Sequence, residues 1–313
     1  MPEVRSLYSE GHSEVEKTKE AVKPFYLGDM PEIAEVFTLA GGLASLLEVP
    51  FDSSIAVPPI NHPLIKWQGC RLLGVRDLDG GKVFKDERKE LDALLGARPA
   101  KVRHRGKALA LDFTGRELCL HFHFGMTGRL GLVPSTHSRV VLDFEKEGKC
   151  ESLHYIDPRK FGHIRIEPAT TSLIKGIDAM ELHEDSLAIL CRTRRKIRSL
   201  LTDQSSIAGI GNYLVNETLW KARINPFQPA STLTPPAIAL LLKSVQETIL
   251  ASARAGGATL LDYFGLGGEE GTYQKSINVY RKEDCPRCGG RVTRVRNPGE
   301  QSSYFCPGCQ PPP

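Results

Sequence analysis

Residues Ser205–Trp220 read "SSIAGIGNYLVNETLW". Gly209 and Gly211 permit a tight, close-approaching backbone, Asn212 stands where a helix would begin, and amide N–H groups with an Asn side chain converge there on a point suited to phosphate. Alone the pattern is weak, because a glycine turn joining two helices explains it equally well. Just upstream, Arg192–Arg198 reads "RTRRKIR". A basic run is ordinarily a solvated helix face. Beside a phosphate-shaped turn, contact with a nucleic-acid backbone is the better reading.

Working outward, helical spacing dominates after about residue 170, in "SLAILCRTRRKIRSLL", "NYLVNETLWKA" and "PPAIALLLKSVQETILASARA". Before it, from Trp67 to Ile166, the pattern has period 2. "ELCLHFHF" puts Leu118, Leu120, Phe122 and Phe124 on one face and Cys119, His121 and His123 on the other, and "ALALDF", "RVVLDF" and "GHIRIE" are runs of similar length. The class is therefore α+β, strands first and helices after. Residues 48–68, "EVPFDSSIAVPPINHPLIKWQ", are proline-rich without sustained period and read as an irregular insertion. Residues 1–29 are polar and charged, an extension outside the fold.

Near the other end, Cys285-Pro-Arg-Cys288 is followed after 17 residues by Cys306-Pro-Gly-Cys309. Paired CxxC knuckles offer four thiolates in tetrahedral array, the donor set of a structural zinc site, and a β-hairpin between them needs no core of its own. Four sulfurs leave no open position for water, which disfavours catalytic zinc. The solitary Cys70, Cys119, Cys150 and Cys191 read as small buried hydrophobes.

Composition sets the outer bounds. The chain has 313 residues, 41% hydrophobic and 25% charged, with 41 Lys and Arg against 37 Asp and Glu, a net charge of +4. That permits nucleic acid without demanding it. No window approaches the roughly 18 apolar residues of a membrane span, and the charged N-terminus lacks a secretion signal's apolar core. The expectation is an intracellular protein, cytoplasmic if bacterial and nuclear if eukaryotic, with no disulfide framework.

Two glycine-bounded turns lie in the β region, "HFGMTGRL" (His123–Leu130) and "DPRKFG" (Asp157–Gly162). Each displays a large side chain: Met126 in one, Arg159 and Phe161 in the other. A core role is ordinary for Met or Phe. Exposed at loop tips, they have the chemistry of wedges that enter a base stack.

With "MPEIAEV", "RHRGKALAL", "IAGIGNYLVNETLWKARINP", "GGATLLDYFGLGGEEGTYQKSINVY" and the CxxC pair, these motifs stand in the order found in formamidopyrimidine-DNA glycosylases, and from Met30 to Gln310 the chain resembles that branch of the Fpg/Nei family. The resemblance implies an N-terminal β-sandwich with a flanking helix (30–170), a helix–two-turn–helix domain (171–264), and a lesion loop with a zinc-finger β-hairpin (265–313). It also implies a monomer holding double-stranded DNA with oxidised bases or abasic sites between two lobes, excision of oxidised purines, and strand cleavage by an abasic-site lyase step. Carried residue by residue, Pro31 is the nucleophile, Glu32 the acid/base carboxylate, Glu35 a supporting group, and Lys107 a further member of the catalytic group that also meets the DNA backbone. His123, Asn212 and Tyr280 match backbone-contacting positions, and Met126, Arg159 and Phe161 fill the gap left by a flipped nucleotide.

The chemistry agrees. An extruded nucleotide leaves a hole that must be filled, and an amine attacking C1′ expels the base and forms a Schiff base. An N-terminal proline is a secondary amine with an α-amino pKa of about 7.7–8.0. An internal proline has its lone pair delocalised into the preceding peptide bond. Pro31 can therefore act only in a chain that starts at Met30 and loses it, or is trimmed to Pro31, and the 313-residue chain reads as overextended. The rival is Pro2, which has Glu3 beside it but lacks the second carboxylate at the family spacing.

A departure lies in the finger. The family commonly carries an arginine five residues before the third cysteine, where this chain has Gln301, which keeps a hydrogen bond to phosphate but loses the charge-assisted contact. Three readings stay open: a bifunctional glycosylase/lyase, a damaged-DNA binder without a free proline amine, and a zinc-ribbon interaction protein. The "GGEEGTYQ" segment and the Met/Arg/Phe set favour the oxidised-purine branch over the endonuclease VIII branch, which takes oxidised pyrimidines.

Overall fold

Helix α1 (Ile33–Leu47) buries nearly every residue it has, because it lies between two cores rather than on a surface. Ile33, Ala34 and Phe37 enter one core, which is otherwise built from the second half of the chain. Val36, Leu39, Ala40, Leu43 and Leu47 enter the other, built mostly from the strands before residue 170. Two apolar stripes on one helix exclude any polar face, the pattern of a fully enclosed helix. In this computed structural model the described residues are 31–56, 66–84, 88–259, 264–296 and 301–312. The extension 1–29 and Met30 lie outside them.

The core built from the strands sits between two sheets. One is five-stranded, in the order β1 (Phe51–Ser53), β3 (Pro99–Arg105), β4 (Ala108–Phe113), β5 (Leu118–His123), β9 (His163–Pro168); the other has the order β2 (Arg71–Asp77), β7 (Ser138–Lys146), β8 (Lys149–Ile156), β6 (Arg129–Gly131). Leu109, Leu111, Leu120 and Phe122 from one sheet and Leu72, Leu142, Phe144, Leu153 and Tyr155 from the other meet in it. Alternation along each strand does this sorting. A short helix α2 (Arg88–Leu94) follows β2.

The second half carries α3 (Glu184–Leu190), α4 (Ile197–Leu201), α5 (Asn212–Lys221) and α6 (Pro235–Arg254), with β10 (Ile177–Asp178) paired parallel to β11 (Ile207–Ala208). Pro235 and Pro236 open α6, where their missing N–H groups cost nothing. The finger is the antiparallel hairpin β12 (Thr293–Val295) and β13 (Ser303–Phe305). Among the described residues no helix is long and apolar enough to cross a membrane.

Three expectations need correction. The proline-rich stretch 48–68 is not irregular throughout: Phe51–Ser53 is a strand paired parallel to Val102–His104, while 57–65 lie outside the described residues. "SLAILCRTRRKIRSLL" is not one helix, for turns separate α3 from α4 and the basic run falls largely in that break. Of the four solitary cysteines, Cys150 is exposed, not buried.

Candidate active site

The glycine turn before α5 holds an acidic group, but that group belongs to the protein. Glu32 accepts hydrogen bonds from the backbone N–H groups of Gly211 (2.8 Å), Tyr213 (2.9 Å) and Leu214 (3.3 Å), so the start of α5 closes on a carboxylate rather than on phosphate. The physics of the earlier reading holds: unpaired amides and the helix dipole favour negative charge. Its occupant differs. A Cβ on Gly211 would stand 2.4 Å from the Glu32 carboxyl carbon, so this position takes glycine for space. Gly209 has φ +112° and its carbonyl accepts the Ile33 N–H at 3.1 Å, fixing the first turn of α1 against the same loop.

Glu35, one turn on, is enclosed as closely. It accepts from Tyr213 Oη (2.8 Å) and from the Ala258 N–H (2.6 Å), and its other oxygen accepts the Glu32 N–H (2.9 Å). Gly257 has φ +81°, and a Cβ there would come 2.7 Å from Glu35 Oε1. The Tyr213 hydroxyl also meets Ser252 Oγ at 2.9 Å. Thus α1, α5 and the end of α6 converge on two adjacent carboxyl groups.

Burial pushes Glu32 up to about 8, with Glu35 adding to the rise; the Lys107 charge and the amides act against it. Glu35 is raised by the same desolvation. Lys107 is lowered, burial outweighing the attraction of both glutamates. Its Nζ is shielded from water and has no hydrogen-bond partner among the described residues. A cavity of about 390 Å³ opens beside this group, lined by Pro31, Lys107, His123, Gly125, Ile174 and Ser205 among others. Such a place, with a buried amine, a protonated carboxyl and a cavity at the proline, suits proton transfer around a nucleophile.

Further out, Asn212 donates to Tyr280 Oη (3.2 Å) and accepts from Arg198 (2.7 Å) and from Asn216. Arg198, the last arginine of "RTRRKIR", has no sequence signal that sets it apart from its neighbours, and it is buried. Tyr280 is itself held by Glu217 on α5, which accepts the N–H groups of Asn278, Val279 and Tyr280. The two β-region turns are braced together by buried Asp157: Thr127 Oγ1 and the Arg159 N–H donate to one oxygen, the Gly162 N–H to the other. Gly125, φ +56°, packs where a Cβ would lie 2.5 Å from the Phe161 carbonyl carbon. On that base Phe161 is 54% exposed, with the Arg159 guanidinium 5.0 Å from its ring centre, while Met126 is half-buried. His123 is exposed and stacks on His163, ring centres 4.9 Å apart.

The structure thus brings Pro31, Glu32, Glu35, Lys107 and His123 together, pairs Asn212 with Tyr280, and carries Met126, Arg159 and Phe161 on two turns braced by Asp157. Gln301 is half-buried just before β13 and is not among the residues lining the cavity. In the finger, the sulfurs of Cys285, Cys288, Cys306 and Cys309 lie within 4.8 Å of one another. Two knuckles and a hairpin have gathered four soft donors around one point, which fits zinc.

Comparison with known proteins matches three stretches of the chain. Residues 30–164 match the formamidopyrimidine-DNA glycosylase N-terminal domain, 178–263 the H2TH domain of the same glycosylases, and 282–312 a zinc finger found in FPG and IleRS. The formamidopyrimidine-DNA glycosylase of Pelotomaculum thermopropionicum is 34% identical over 264 residues, covering 78% of this chain and 93% of that protein. That of Chloroflexus aurantiacus is 33% identical, covering 90% and 98%. The crystal structure of the MutM (Fpg) protein from Thermus thermophilus superposes with a TM-score of 0.75 at 29% identity, covering 90% of this chain and all of that one. A Lactococcus lactis Fpg variant in complex with Fapy-dG-containing DNA does so with a TM-score of 0.75 at 26% identity and the same coverage. On its sheets, its α5 carboxylate clamp, its four-cysteine finger and these likenesses, the chain belongs to the formamidopyrimidine-DNA glycosylases, the DNA glycosylases of base-excision repair.

Proposed function

We propose that this glycosylase excises oxidised purines from duplex DNA through a Schiff base on Pro31 and then cleaves the strand. The observation that carries the reading is the placement of Pro31 at a cavity it shares with Lys107 and His123, directly before two buried carboxyl groups. In the first step the free Pro31 nitrogen bonds to C1′ and the bond from C1′ to the base breaks, the base leaving with the proton that the amine gives up. Glu32, raised to about 8 by burial, carries a proton at neutral pH that it can give to the sugar oxygen as the ring opens and the iminium forms. Removal of a C2′ proton then expels the 3′ phosphate, and water releases Pro31. Lys107, held neutral more readily than an exposed lysine, is placed to take up protons.

Phe161, Arg159 and Met126 fill the space the extruded nucleotide leaves. Asn212, Tyr280 and Arg198 form a hydrogen-bonding group for the backbone. The four cysteines hold one zinc ion, which folds the finger and supplies no reaction chemistry.

The test is borohydride trapping of lesion-containing duplex. Protein whose chain starts at Pro31 is expected to give a covalent complex; protein carrying residues 1–30, with Pro2 changed to Ala and processing blocked, is not. Equal trapping by both excludes Pro31 as the nucleophile.

A further inference from the structure

Trp220 is a point where α5 touches the first knuckle of the finger. It stands in the last turn of the helix, and its indole Nε1–H points at Cys285 Sγ, 3.3 Å away, as a buried hydrogen bond. The ring is 9% exposed and packs in a small core with Val279, Cys285 and Cys306. Arg287, inside the first knuckle, covers the ring with its guanidinium 4.0 Å from the ring centre and donates to the Trp220 carbonyl at 3.0 Å. One residue of the helix is therefore fixed by the knuckle on its face, its backbone and its N–H edge.

The bond has a chemical consequence. A metal-bound thiolate is attacked by protons and by competing chelators at its lone pairs, and a donated N–H occupies one of them, lowering the sulfur's basicity and setting its orientation. A plain aromatic ring would give the same packing without that donor. Indole N–H groups are donors only, so this contact has one direction.

We infer that Trp220 is a positioning residue for the finger's metal, donating to the Cys285 thiolate and so fastening the metal site to α5. The inference rests on the proposed zinc site. The opposite end of α5 carries the amides that hold Glu32, so one ten-residue helix is fixed by a thiolate at one end and a carboxylate at the other. Asn216, between them, accepts the Tyr304 N–H of β13 at 2.7 Å and adds a second tie to the finger.

The experiment uses whole protein loaded with ¹¹³Cd in place of zinc. Of two tryptophans, Trp67 and Trp220, only the Nε1–H signal of Trp220 is expected to split by coupling to the metal across the hydrogen bond and to exchange slowly with water. Assignment comes from Trp67→Phe protein. In a second arm, Trp220→Phe protein loaded with zinc is expected to lose it to a chromophoric chelator on the order of 10 times faster, the lower end of the effect of removing such partners. A Trp220 signal that is unsplit and exchanges freely, in protein that binds one cadmium per chain, overturns the inference while leaving the metal site intact. Protein that binds no cadmium overturns the metal site itself. If Trp220→Phe protein does not fold, the coupling measurement on the parent still decides.

Discussion

The carboxylate pocket and the wedge rim solve opposite problems within one chain. Glu32 and Glu35 are 1% and 2% exposed, with every oxygen engaged by amides or the Tyr213 hydroxyl. Phe161 is exposed, and only the loop beneath it is fixed, by Asp157. In the proposed reaction the acid/base pocket is assembled before DNA arrives, whereas the wedge loop is anchored at its base and left bare at its tip. Preorganised dipoles need not rearrange during reaction. An apolar wedge gains only when a base stack covers it.

The sharpest way to break the comparison is Gly211→Ala. The added Cβ meets the Glu32 carboxyl group at 2.4–2.6 Å, so the carboxylate must leave its amides. Single-turnover excision is expected to fall by roughly 10²–10⁴, the usual worth of a positioned acid/base group, while lesion-DNA affinity stays within a few-fold. Equal losses in both would mean that the pocket and the DNA surface are one unit.

Next is Glu32→Gln, read through stability. With its pKa raised from 4.5 to about 8, Glu32 favours the fold fully below 4.5; that contribution erodes as pH rises toward 8, because the unfolded chain ionises first. Glutamine does not titrate. The variant should therefore gain stability relative to the parent between pH 5 and pH 8, by on the order of a few kcal/mol in urea unfolding. A constant difference across that range would show that the amides and Lys107 hold Glu32 ionised. His104 sets the acid side: burial depresses it to about 3, so its contribution is intact above 6.5 and is lost as pH falls toward 3.

Phe161→Ala tests the rim. Lesion-DNA affinity is expected to drop by about 1–2 kcal/mol, in the range of stacking on a base, with the melting temperature unmoved, because the ring is half in solvent. A lower melting temperature would make Phe161 a packing residue. The smallest effect belongs to Gln301→Arg, which should strengthen lesion-DNA binding by about 1 kcal/mol at low salt and less at high salt. Anisotropy with undamaged duplex as control measures both.

What the sequence revealed depended on how far apart the interacting residues lie. The strands of period 2, the CxxC knuckles and the turns around Met126 and Phe161 are local patterns, visible in windows of a few residues. The α5 turn reads in sequence as a site for an acidic group, but the group that fills it lies 179 residues away, beyond any local window. Strand β1 was hidden among prolines because its parallel partner is some fifty residues on. Arg198 looked like one cation among several until the fold turned it inward onto Asn212. Pro31 stands in a second Met-Pro-Glu start, but its role and that of Glu35 come only from the family's motif order.

Helix α1 also governs how the molecule comes apart. Ile33, Ala34 and Phe37 are part of the helical core, although they precede every strand of the sandwich in the chain. Cutting the connection near residue 170 would therefore leave the C-terminal half with a cavity where those three side chains had been, and removal of large core side chains costs about 2–5 kcal/mol each. The halves match separate family models yet share one buried helix. They should melt in one transition, with α1 the element neither half can lose.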